Sequence, residues 1–117
     1  MPWVQVHMAK KLDKSGCEAI KKEIAAILLE EFEKPEQGLT VTFYRPEAYY
    51  RAGAAVEDAA NFEIKYIGSF PLAKKQAVTR RLAAFFSAKF GIDPMKLTAV
   101  FSENDGANWG RKAGDFS

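Results

Sequence analysis

The hydrophobic period of this chain switches from two to about 3.6 and back, twice over, and that order constrains its fold more than any single motif. Trp3-Val4-Gln5-Val6-His7-Met8 alternates, as a strand does when successive side chains face opposite sides of a sheet. Ser15-Gly16-Cys17-Glu18 has the spacing of a capping box, in which the Ser hydroxyl and the Glu carboxylate each satisfy a free backbone N–H of the other, so a helix is predicted to start there. Apolar residues then recur on one helical face at Cys17, Ile20, Ile24, Ile27, Leu28 and Phe32. Pro35 disfavours helical geometry in its predecessor and ends the helix near Glu33-Lys34.

Leu39 to Tyr44 alternates again and is β-branched or aromatic at most positions, which predicts a second strand. Glu47 to Ala60 is irregular and reads as a turn or a short extended piece. Phe62 to Ile67 is the third predicted strand, Leu72 to Phe90 the second helix with Val78, Leu82, Phe85, Phe86 and Phe90 inward, and Leu97 to Phe101 the fourth strand. Gly91 and Pro94 stop the second helix. The result is an α+β chain of two βαβ units, each with a crossover long enough to join parallel strands. Two helices on one face leave the other face of a four-stranded sheet uncovered. Apolar or aromatic residues on both sides of the strands, such as Val4 against Trp3 and Ile64 against Ile67, predict that both faces are buried, and hence a homo-oligomer.

At 117 residues the chain is expected to form one domain, 1–117, with a core that needs no disulfide. The single Cys17 excludes an intramolecular disulfide, and one Cys with one His, His7, makes no structural zinc set, so neither metal nor cofactor is expected. A net charge of +2 is too small to argue for nucleic acid. The basic cluster Lys74, Lys75, Arg80 and Arg81 has no interleaved aromatics and reads as a solvated helix face. No signal peptide or membrane span is legible, which gives a cytoplasmic expectation.

Met1-Pro2 is either simply how the chain starts or the source of a catalytic amine. If Met1 is removed, Pro2 becomes a secondary amine fixed at the end of a strand. An α-amino group titrates near ~7.7–8.0, and an apolar, cation-flanked pocket lowers that by disfavouring the ammonium. The amine would then be a base at neutral pH.

Taken whole, the chain resembles the tautomerase superfamily, and within it the proteins similar to macrophage migration inhibitory factor. The residues that carry the resemblance are Pro2 before a strand, Lys34-Pro35, Gly53 with Glu57, Tyr66-Ile67-Gly68, Gly91-Ile92-Asp93-Pro94 and Asn108-Trp109-Gly110. The resemblance implies a homotrimer with active sites at subunit boundaries and a keto–enol tautomerase acting on a small α-keto acid of the phenylpyruvate type. It implies Pro2 as general base, Lys34 as the group that binds the substrate carboxylate, and the Ile67 backbone beside it. Where the family often has a tyrosine and an asparagine from the adjacent subunit, this chain has Thr98 and Val100. For the family's aromatic near the tail, Trp109 and Arg111 stand nearest, with Arg111 able to anchor a carboxylate. Trp109, Phe101 and Ile67 would exclude water. The tail also looks like that of the malonate semialdehyde decarboxylase branch, without that branch's paired arginines after the third strand, where Ser69, Phe70 and Leu72 stand. A non-catalytic, cytokine-like binding oligomer is the reading from another class.

Overall fold

The computed structural model describes residues 2–111 and 114–116. Strand β1 (Trp3–Met8) leads into helix α1 (Lys14–Phe32) and strand β2 (Thr40–Tyr44). A two-residue pair, β3 (Tyr50–Arg51) and β4 (Ala54–Ala55), precedes strand β5 (Ala60–Ile67), helix α2 (Leu72–Phe90) and strand β6 (Leu97–Asn104). Short strands β7 (Gly110–Arg111) and β8 (Asp115–Phe116) end the chain's described part. The main sheet has the order β2-β1-β5-β6. Each βαβ unit pairs its own strands in parallel, β1 with β2 and β5 with β6, and the two units join antiparallel along β1 and β5.

The predicted α+β architecture therefore holds, and the helical stripes explain it. Ile20, Ile24, Ile27, Leu28 and Phe32 of α1 and Val78, Leu82 and Phe86 of α2 are buried against the sheet residues Val4, Val6, Phe62, Ile64 and Tyr66. Phe62 is fully buried, its ring meeting that of Phe86 edge-on at 4.9 Å between centroids.

Four boundaries differ from the sequence reading. The helix cap is Asp13, whose carboxylate accepts from the Gly16 N–H at 2.7 Å, so the Ser15–Glu18 box is not the start. Asp13 serves this role two residues ahead of Ser15, its short side chain accepting from the N–H three residues on. The segment 47–60 folds into the β3–β4 hairpin, with Ala52 and Gly53 at positive φ, a turn signal carried by one glycine alone. Strand β5 starts two residues early at Ala60, and β6 runs three residues past Phe101 to Asn104. The face turned away from the helices is more polar than expected. It carries Trp3, Gln5 and His7 of β1, Asn61, Glu63 and Lys65 of β5, and Thr98, Val100 and Ser102 of β6. His7 lies 3.2 Å from Glu63 and stacks on Tyr44 at 4.9 Å.

Candidate active site

The geometry begins with the end of α1. Glu33 takes a left-handed conformation (φ 54) that turns the chain, and the Lys34 N–H reaches back to the Leu28 carbonyl at 3.1 Å. That turn sends the Lys34 side chain across to β5, where its ammonium donates to the Ile67 carbonyl at 2.9 Å. The same ammonium lies 5.8 Å from the centre of the Phe70 ring, within the range of a cation–π contact. Phe70 is itself stacked on Phe32, ring centres 4.0 Å apart and planes 2° from parallel.

Pro2 sits immediately before β1 and is buried. Its carbonyl accepts from the Thr40 N–H at 3.0 Å, extending the β1–β2 ladder by one step. Trp3 pairs with Lys65, so the same register places Pro2 opposite Tyr66 and beside Ile67, on strands roughly 4.8 Å apart. The register thus sets Pro2 at the same end of the sheet as Ile67 and the Lys34 ammonium bonded to it. Met1 lies outside the described residues.

The cavities that the other predicted residues line contain none of Pro2, Lys34 and Ile67. Trp109 lines a cavity of about 460 Å³ together with Trp3, Thr40, Asn108 and Gly110. The Trp3 indole N–H donates to Thr42 at 3.0 Å, with Lys65 over its ring at 4.8 Å. Arg111 follows Gly110 in β7 and pairs with Asp115 of β8. Phe101 stands on the helix side: it packs edge-on to Phe32 at 6.2 Å and lines a separate cavity of about 530 Å³ against α2. Thr98 and Val100 lie on the opposite, open sheet face of the edge strand β6, with Val100 53% exposed.

The residue that sequence reasoning passed over is Glu103. Its carboxylate accepts from the Tyr66 hydroxyl at 2.8 Å, the Phe70 N–H at 2.9 Å and the Ser69 hydroxyl at 3.1 Å. The Lys75 ammonium lies 3.4 Å away. The Phe70 N–H above all, then the Tyr66 and Ser69 hydroxyls, favours the carboxylate and holds its pKa down to about 2. Burial raises the Tyr66 phenol well above its ordinary range, and the Glu103 contact adds to that. No spacing in the sequence announces this cluster, because Glu103 is 28 to 37 residues from its partners and meets them only through the β5–β6 register.

Among the described residues no group of three or more His, Cys, Asp or Glu could hold a metal ion, and no helix is long and apolar enough to cross a membrane.

The class that this sheet, its two helices and its crossovers define is the tautomerase fold in its MIF-like form. The macrophage migration inhibitory factor-like protein from Entamoeba histolytica superposes with a TM-score of 0.86 at 22% identity, over 99% of this chain and 98% of that one. A structure of Pt0534 inactivated by 2-oxo-3-pentynoate superposes at 0.86 and 15% identity, over 97% and 94% of the two chains. A fused 4-OT described as a wild-type symmetric trimer superposes at 0.82 and 18% identity, with the same coverage of 97% and 94%. No family model matches the sequence, and no curated protein matches it either.

Proposed function

We propose that the protein is a keto–enol tautomerase of small α-keto acids, working as a homotrimer with Pro2 as its base after Met1 is removed. The observation that carries this reading is Lys34: its ammonium is anchored on the Ile67 carbonyl beside Pro2. An ammonium has three donors, so the anchored group keeps two for a ligand carboxylate. Bound this way, a keto acid presents the carbon next to its carbonyl to the Pro2 amine. The amine accepts a proton from that carbon, and the C–H electron pair becomes the carbon–carbon double bond of the enol. The carbonyl oxygen then takes the proton back from the prolinium. The Lys34 charge and the buried position both disfavour the ammonium form of Pro2 and keep it basic near neutrality. Trp109 and Trp3 line a cavity that holds none of Pro2, Lys34 and Ile67; the roles of Trp109 as an apolar wall and of Arg111 as a second carboxylate anchor are carried by the family resemblance.

The trimer is supported by the uncovered sheet face, by the free edge of β6 and by the trimeric 4-OT neighbour. The test is turnover of phenylpyruvate by the Met-free protein and by Pro2→Gly. Activity in the wild type with loss in the variant is the expected result, and equal activity in both would sink the role of Pro2.

Thr98 and Val100, in place of the family's tyrosine and asparagine, favour a second reading in which the oligomer binds other proteins and turns nothing over. Partner binding lost in a helix-surface variant and retained in Pro2→Gly would select that reading.

A further inference from the structure

We propose that Glu103 is the positioning residue of the Lys34 pocket, fixing the β5–α2 connection so that Phe70 and the Ile67 carbonyl hold the Lys34 ammonium in place. The inference rests on the reading of Lys34 as the carboxylate anchor.

The connection from Gly68 to Pro71 has no regular structure of its own. Its first residue is held by β6, where the Gly68 N–H donates to the Asn104 carbonyl at 2.9 Å. Ser69 and Phe70, the next two, are both held by the Glu103 carboxylate. The same carboxylate reaches back to Tyr66 in β5 and forward to Lys75 in the first turn of α2. One side chain therefore ties together the strand before the connection and the helix after it. Pro71, at the helix start, makes no side-chain cap, so the carboxylate is also the negative charge that the exposed end of α2 favours.

What the connection carries is the Phe70 ring beneath Lys34. Phe70 stacks on Phe32 and meets Tyr66 edge-on at 5.3 Å, and its face lies under the Lys34 ammonium. Without Glu103 the Phe70 N–H and the buried Tyr66 hydroxyl both lose their acceptor, and the Phe70 ring loses the backbone anchor that sets its plane. Glu103 does not touch the substrate, so its removal changes binding more than the chemical step.

Two readouts test this. Amide hydrogen exchange at Phe70, compared with the ladder amide of Ile64, needs no ligand; Glu103→Ala should exchange about tenfold faster at Phe70 alone, the loss of one charge-assisted bond. The dissociation constant for phenylpyruvate, followed by amide NMR shifts of Gly68 to Phe70, should rise about tenfold in Glu103→Ala on the same ground. It should stay within about twofold of wild type in Glu103→Gln, whose amide oxygen still accepts. Where turnover is present, KM should rise with kcat little changed. A folded Glu103→Ala with wild-type exchange at Phe70 and wild-type affinity overturns the proposal. If Glu103→Ala does not fold, Glu103→Asp keeps the charge but shortens the reach, and wild-type exchange and affinity in that variant overturn it equally. Weakened binding in Glu103→Ala with no turnover by the wild type would leave Glu103 in its role and refute the tautomerase reading. A wild type that binds no phenylpyruvate refutes the pocket, and the positioning role with it.

Discussion

Lys34→Ala separates a substrate anchor from a mere helix-end cation. Among the described residues the ammonium donates to one acceptor, the Ile67 carbonyl at 2.9 Å, and a lysine has three donors. A carboxylate that takes the others gains charge-assisted hydrogen bonding of about 1.5–3 kcal/mol. With tenfold for each ~1.4 kcal/mol, kcat/KM toward phenylpyruvate should fall about 10- to 150-fold. Because ground state and transition state share the carboxylate, most of the loss should fall in KM. Loss of the cation beside Pro2 raises the pKa of its amine and should also move the acidic limb of the pH–rate profile to higher pH. As a helix-end cation alone, Lys34 would contribute about 0.3–1 kcal/mol to stability and nothing to KM. It lies beyond α1, whose last turn has no basic residue, so the stability effect should be at the low end. The assay is loss of the phenylpyruvate enol absorbance at several substrate concentrations, alongside a thermal melt. A folded Lys34→Ala with kcat/KM within about twofold of wild type, far below one charge-assisted bond, would refute the reasoning.

Other consequences are equally open to measurement. Pro2→Gly should lower kcat by about 10²- to 10⁴-fold, the usual worth of a positioned acid–base group, in the same assay. Glu33 adopts φ 54 without being glycine, so Glu33→Gly should raise stability by about 1 kcal/mol in urea unfolding with Lys34 left in place. Phe62→Ala, at a position with 0% exposure, should cost about 3–5 kcal/mol in the same measurement. Glu103 has a native pKa of about 2 against an ordinary 4.5. Its contribution to stability is therefore full above the unfolded value and is lost as pH falls toward the native one; acid titration of unfolding should show that loss, and Glu103→Gln should flatten it.

The architecture was legible because each helix shows its stripe and each strand its alternation. Ile20, Ile24, Ile27, Leu28 and Phe32 could face one way only on a helix, and that way is the core. Capping was less legible, since Asp13 and Ser15 both carry a side-chain oxygen able to cap a helix that starts just after them, and only the backbone decides between them. The open sheet face is more polar than Trp3 and Ile67 imply, because Gln5, His7, Glu63 and Lys65 share it. The placement of Lys34 on Ile67 followed from a family resemblance rather than from spacing, for residues 33 apart in sequence leave no periodic trace. Glu103 stood in a stretch rich in turn-forming residues, where a carboxylate is ordinarily solvated. Its importance appears only when β6 extends far enough to set it opposite Tyr66.

The most direct test of the account is the intact mass of the native chain before and after exposure to 3-bromopyruvate, with the adduct mapped by peptide sequencing. With Pro2 as a free, nucleophilic base beside Lys34, the chain should lack Met1 and carry a single adduct on the Pro2 nitrogen, formed much more slowly in Lys34→Ala. A retained Met1, or a free Pro2 that stays unmodified, would contradict it and leave a tautomerase fold without tautomerase chemistry.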